Sequence, residues 1–155
     1  MHRIATLFHA FALGSLCAAC ASAPVTAAQE PEVELHGHRI KVEIAADDAA
    51  RAHGLMDRTF MPADQGTLFV FPDSQIRTFW MKNTLIPLDM LFFDSDRKLV
   101  TLLANVPPCK ADPCAVYPST APAHYVLELN AGTAVKLGMR KGDTATFANV
   151  PSATQ

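Results

Sequence analysis

The clearest alternation of apolar and polar residues lies at 33–36 and 39–44, on either side of Gly37. Period-two patterning around a glycine predicts a β-hairpin with one wet face. Asp47 and Asp48 next predict the capped start of a helix over 49–56, which Gly54 weakens in its last turns. Residues 57–65 read as a loop around Pro62. From Gly66 onward the texture changes, and four runs are nearly continuous in apolar residues: 67–71, ended by Pro72 and Asp73; 76–81; 86–93, closed by a polar turn at 94–98; and 99–106. Such strands must be covered on both faces, by a closed barrel or by helices. After a proline-rich loop come a strand at 125–129, a short helix at 133–137 and a last strand at 144–148. About eight strands and two short helices predict an α+β, mostly β domain on a strongly curved or barrel-like sheet.

The first 28 residues follow a different pattern. Arg3 gives a short positive end, 4–19 is predominantly apolar, and small residues such as Ala21, Ser22, Ala23, Ala27 and Ala28 follow. This is the pattern of a secretion signal. It is short for a permanent anchor, which needs about 20 apolar residues. Two processing routes stay open: ordinary cleavage near 27–28, or cleavage after Ala19 with acylation of Cys20. Ala18-Ala19-Cys20 resembles a lipoprotein box, although Cys17 stands where an aliphatic residue is usual. Either route places the chain in the cell envelope, periplasmic or lipid-anchored, and a lipid on Cys20 would be its only tie to a membrane. Residues 29–32 then form a linker, 33–150 the domain and 151–155 a tail.

Export changes how the cysteines are read. Cys17 and Cys20 belong to the signal and are not a redox pair, which leaves Cys109 and Cys114 in the domain. In an oxidising compartment two such cysteines in a proline-rich loop predict a disulfide. No histidine or second cysteine pair lies nearby in sequence to complete a zinc site. Without Arg3 the chain keeps twelve basic and fifteen acidic residues, a net charge of −3, and it has no basic run. That balance argues against nucleic acid as a partner.

Polar residues inside apolar runs are the candidates for chemistry. Lys82 and Asp89 each interrupt a strand that otherwise reads as core, with Phe79 and Trp80 beside Lys82. Lysine and aspartate are rarely buried unless paired. If their strands form a hairpin, the two pair with each other. Otherwise Asp89 caps backbone amides and Lys82 snorkels outward past Trp80. In a third arrangement they form the polar floor of a ligand pocket walled by Phe79 and Trp80.

The segments Gly54-Leu-Met-Asp-Arg58, Gly66-Thr-Leu-Phe-Val-Phe71, Phe79-Trp-Met-Lys-Asn-Thr84, Ile86-Pro-Leu-Asp-Met90 and Tyr125-Val-Leu-Glu-Leu-Asn-Ala-Gly132 resemble the signatures of the DUF192 family, also called UPF0127. The resemblance covers about residues 33–149. It implies a small, mostly β, barrel-like domain of an exported or lipid-anchored type, and it brings no established activity. By residue it draws attention to Arg58, Trp80, Lys82, Asn83, Asp89 and Glu128, polar or aromatic groups in apolar surroundings.

The sequence therefore supports a non-enzymatic envelope module that binds a small ligand or an envelope protein through Arg58, Phe79, Trp80, Lys82, Asn83, Asp89 and Glu128. One alternative is an extracytoplasmic enzyme using Arg58, Lys82 and Asp89. Another is a copper or redox accessory protein, for which His53, Met56, Met61, Met81 and Met90 supply soft ligands. Methionine is more often core filler. No catalytic residue, metal site or cofactor is assigned, because the serines lack a hydrolase setting and no phosphate-binding glycine loop is present.

Overall fold

The computed structural model describes residues 29–152. Residues 1–28, on which the expected secretion signal and Cys20 fall, and the last three residues lie outside them.

The chain runs β1 (Glu32–Leu35), β2 (His38–Ala45), α1 (Asp48–His53), β3 (Gln65–Gln75), β4 (Thr78–Trp80), β5 (Leu88–Phe93), β6 (Leu99–Val106), β7 (Val116–Pro118), β8 (Ala123–Asn130), α2 (Thr133–Lys136) and β9 (Thr146–Ala148). Seven strands form one sheet in the order β6-β5-β8-β3-β2-β1-β9, and β4 pairs with β7 in a separate ribbon. The mostly β, barrel-like expectation holds, with nine strands among the described residues. The strand the sequence did not announce is β7, three residues long and ended by Pro118.

Local chemistry explains the elements. His36 and Gly37 both take positive φ, which turns β1 back onto β2. The β2–β3 pair is parallel and needs a crossover, which α1 supplies. The Asp47 side chain accepts from the Ala50 amide at 2.8 Å to cap α1. Gly54 ends the helix at φ 49°, where a side chain would also meet the Phe69 ring. β3 runs past Pro72 rather than stopping there, because its pairing with β8 is irregular between Val70 and Gln75 and needs no amide from the proline.

The sheet curls until its two ends meet. Lys98, just before β6, bridges to Thr144, just before β9. Backbone bonds from the Leu99 amide to Asp143 at 2.7 Å and from the Ala145 amide to Arg97 at 3.0 Å sew the seam. Curling makes two cores. Val33, Leu35, Leu68, Val70, Leu91, Phe93, Leu127 and Leu129 fill the concave side. The alternate residues Phe69, Met90, Phe92 and Val126 face outward and are covered by the segment after α1 and by the β4–β7 ribbon. Phe79 from the ribbon stands edge-on to Phe69 and Phe92, with centroids at 4.9 and 5.7 Å. Burial on both faces is what the continuous apolar runs required.

Among the described residues no helix is long and apolar enough to cross a membrane.

Candidate functional site

On the outer face, one row of residues crosses the sheet. Glu43 on β2 stands opposite Thr67 on β3, Thr67 opposite Glu128 on β8, and Glu128 opposite Met90 on β5. Glu128 is 4% exposed. Among the described residues no donor or positive charge lies close enough to hold its carboxyl ionised, and burial alone pushes its pKa up to about 8. The neighbouring Thr67 hydroxyl is buried and makes no hydrogen bond among the described residues. Gly66 permits this close approach of β3 to β8, since a Cβ there would lie 2.8 Å from the Glu128 carbonyl oxygen.

Above this row lies a narrow cleft of about 40 Å³ with Glu128 in its lining. Its walls are Phe69, Phe79, Leu55 and Met56, and Trp80, half exposed, stands on its rim. Arg51 and His53 reach it from α1, Lys82 and Thr84 from the turn after β4. The two basic chains are already engaged. Arg51 donates to the Val70 carbonyl at 2.9 Å and to Asp48 at 2.6 Å. Lys82 Nζ donates to both carboxylate oxygens of Asp112, at 2.9 and 3.1 Å.

Of the candidates named from sequence, Phe79, Trp80, Lys82 and Glu128 come together here. Asn83 sits beside them as a turn residue, with φ 55° and its carbonyl accepting from the Asp57 amide at 2.8 Å. Arg58 lies off the cleft in a bidentate pair with Glu43 at 2.6 and 2.7 Å, which holds the Glu43 carboxyl below its usual range.

The Lys82–Asp89 pair expected from a hairpin does not form. β4 and β5 are consecutive in sequence but belong to different sheets. Asp89 alternates with Leu91 and Phe93 toward the concave side. It is fully buried and accepts from the amides of Asn105 at 2.8 Å, Gly132 at 3.1 Å and Ala134 at 2.8 Å. It thus ties α2 to the open end of the barrel, as a capping group does. Arg58, Lys82 and Asp89 therefore share no cleft, and the catalytic trio loses its geometry.

The sequence overlooked Thr67, Thr84 and Leu55 as site neighbours; a threonine or leucine in an apolar run carries no signal. Met61, Met81 and Met90 are buried in the outer core, which removes them as copper ligands. Cys109 and Cys114 are bonded to each other, 5.5 Å apart at Cα. Their sulfurs and an Asp112 oxygen lie within 4.8 Å of one another, but the bonded sulfurs leave no thiolate to hold a metal.

Larger depressions exist elsewhere. One of about 450 Å³ is lined by Glu30, Glu34, Arg39 and Lys41, whose charges pair with one another. Another, of about 560 Å³, lies beside Tyr125, His124 and Phe147. Near it Ser74 Oγ meets His124 Nδ1 at 3.4 Å, but the adjacent Asp73 is turned to Arg77, so no hydrolytic triad is built. Neither depression has a deeply buried acid in its lining, as the Glu128 cleft does.

A curled sheet with a covered outer face and one buried acid under a small cleft defines a compact domain of the half-barrel class. A family model described as DUF192, an uncharacterized ACR, matches residues 31–147, and the chain belongs to that family. A solved structure from Sinorhizobium meliloti 1021, described as a candidate transcription regulator, is 40% identical with a TM-score of 0.71, covering 80% of this chain and 98% of its own. A protein of unknown function from Novosphingobium aromaticivorans DSM 12444 is 35% identical with a TM-score of 0.68, covering 86% of this chain and 99% of its own. No curated protein matches the chain.

Proposed function

We propose that this DUF192 domain is an exported cell-envelope module that binds a small ligand, or one side chain of an envelope partner, in the cleft between α1 and β4. Trp80 is the apolar rim of that site, Phe79 its wall and Glu128 its floor. Lys82, tied to Asp112, flanks the entrance. The observation that carries this is Glu128 itself: a carboxyl buried without a partner costs several kcal/mol, and folds keep such groups where a ligand completes them. Export rests on the signal pattern of residues 1–28 and agrees with a disulfide in the domain.

Regulation of transcription, suggested by the description of the Sinorhizobium relative, would call for a basic face. This chain carries a net charge of −2 and its cleft is floored by an acid.

Trp80 is the only tryptophan, so its emission reports on the cleft directly. Across a library of envelope metabolites and short peptides, at least one compound should shift that emission saturably and raise the melting temperature. Emission and melting temperature that stay unchanged across the library would contradict the binding reading. Cell fractionation with and without residues 1–28 tests export, and loss of lipid labelling in Cys20→Ala would establish the anchor.

A further inference from the structure

Two carboxylates are buried among the described residues, and they are treated differently. Asp89 has three amide donors, whereas among the described residues burial alone acts on Glu128. What fits above Glu128 is limited by size. The cleft offers about 40 Å³, and a water needs about 10–15 Å³ on that scale, so the space admits a chain end of a few atoms and no ring.

Charge limits it further. Once ionised, a carboxyl at the bottom of the slot repels anions. It gains most from a cation that it can neutralise while donors satisfy both of its oxygens. The slot is walled by Phe79 and Met56, which suit methylene groups, and rimmed by an exposed indole, which suits a cation or its alkyl stem. Thr67, beside Glu128 but behind the cleft lining, has a buried hydroxyl with no partner among the described residues. A guanidinium is too broad for this space, whereas an ammonium is a compact three-donor head.

We propose that the cleft takes a primary ammonium group on an unbranched alkyl chain, with Glu128 as its counter-ion and Trp80 against the entering chain. This rests on the cleft being the binding site. The charge balance has a consequence. Below about pH 8 the empty site holds a neutral carboxyl, so each ammonium that binds sends one proton from Glu128 to solvent. Alkylammonium groups, with pKa values near 10, stay charged throughout that range. Affinity therefore rises about tenfold per pH unit up to pH 8 and then levels. The other groups facing the site are Arg51 and His53 from α1 and Lys82 from the turn after β4; Glu43 lies beyond Thr67 and is paired with Arg58.

The test is a titration of the purified protein with n-butylammonium chloride, followed by Trp80 emission and by calorimetry in two buffers of different ionisation heat. Saturable binding about tenfold tighter at pH 7 than at pH 6 is expected, with close to one proton released and no competition from n-butanol. Glu128→Gln should abolish binding and His53→Asn should keep the pH slope. If the glutamine variant does not fold, the proton count on the unaltered protein decides. Failure to saturate, equal binding of n-butanol, or no pH slope overturns the proposal. A different ligand shifting Trp80 while butylammonium fails would leave the cleft standing and remove only the ammonium. Comparing Nα-acetyl-lysine amide with butylammonium identifies the source: equal affinity points to a partner's lysine, and clearly weaker affinity to a free alkylamine.

Discussion

Thr67 and Glu128 stand directly opposite each other on β3 and β8, both buried; among the described residues the Thr67 hydroxyl has no hydrogen-bond partner, and burial alone acts on the Glu128 carboxyl. A domain that satisfies Asp89 with three amides leaves Glu128, on the cleft floor, to burial alone. The cost of that arrangement is measurable.

Stability should fall as pH rises. The folded state keeps Glu128 protonated up to about pH 8, while the unfolded chain ionises it from its ordinary value of 4.5. Between those limits the folded state binds more protons, so stability is greatest below about pH 4.5 with respect to this group. It declines through pH 8 and is flat beyond. The total is on the order of 5 kcal/mol. Urea unfolding at pH 5 and pH 8 should show the decline, and Glu128→Gln should remove most of it.

Asp89 should prove structural. Asp89→Ala leaves three amides without an acceptor and is expected to cost roughly 3–5 kcal/mol in chemical denaturation, with Asp89→Asn costing less. A loss below about 1 kcal/mol for the alanine variant would contradict its role in holding α2.

The Cys109–Cys114 bond encloses Asp112, the partner of Lys82. Replacing both cysteines with serine should lower stability by about 2 kcal/mol, the value for so short a loop. Because the Lys82–Asp112 pair is partly exposed, Asp112→Ala alone should change stability by less than about 1 kcal/mol. Denaturation of the two variants side by side separates the staple from the ion pair.

Much of this was legible in the chain. The continuous apolar runs announced strands covered on both faces, and Leu68 and Phe69 do face the two different cores. Glu128 was visible as one charge inside an apolar strand. What stayed hidden is non-local. Nothing near Lys82 or Asp89 reveals that β4 leaves the main sheet to pair with β7, and β7 is too short to show a pattern of its own. The hairpin assumption therefore paired the wrong residues. Arg58 looked like a site residue, yet it lies with Glu43 at the edge of the same face, a pairing across fifteen residues that no local pattern sets.

The most direct test of the account is the titration of the Glu128 side-chain carboxyl followed by ¹³C NMR, without and with saturating n-butylammonium. The expected midpoint is about 8 in the free protein, as burial dictates, falling well below 7 when the ammonium occupies the cleft. A midpoint near 4.5 in the free protein, unchanged by the amine, would mean that the carboxyl is solvated or already paired, and would contradict the site.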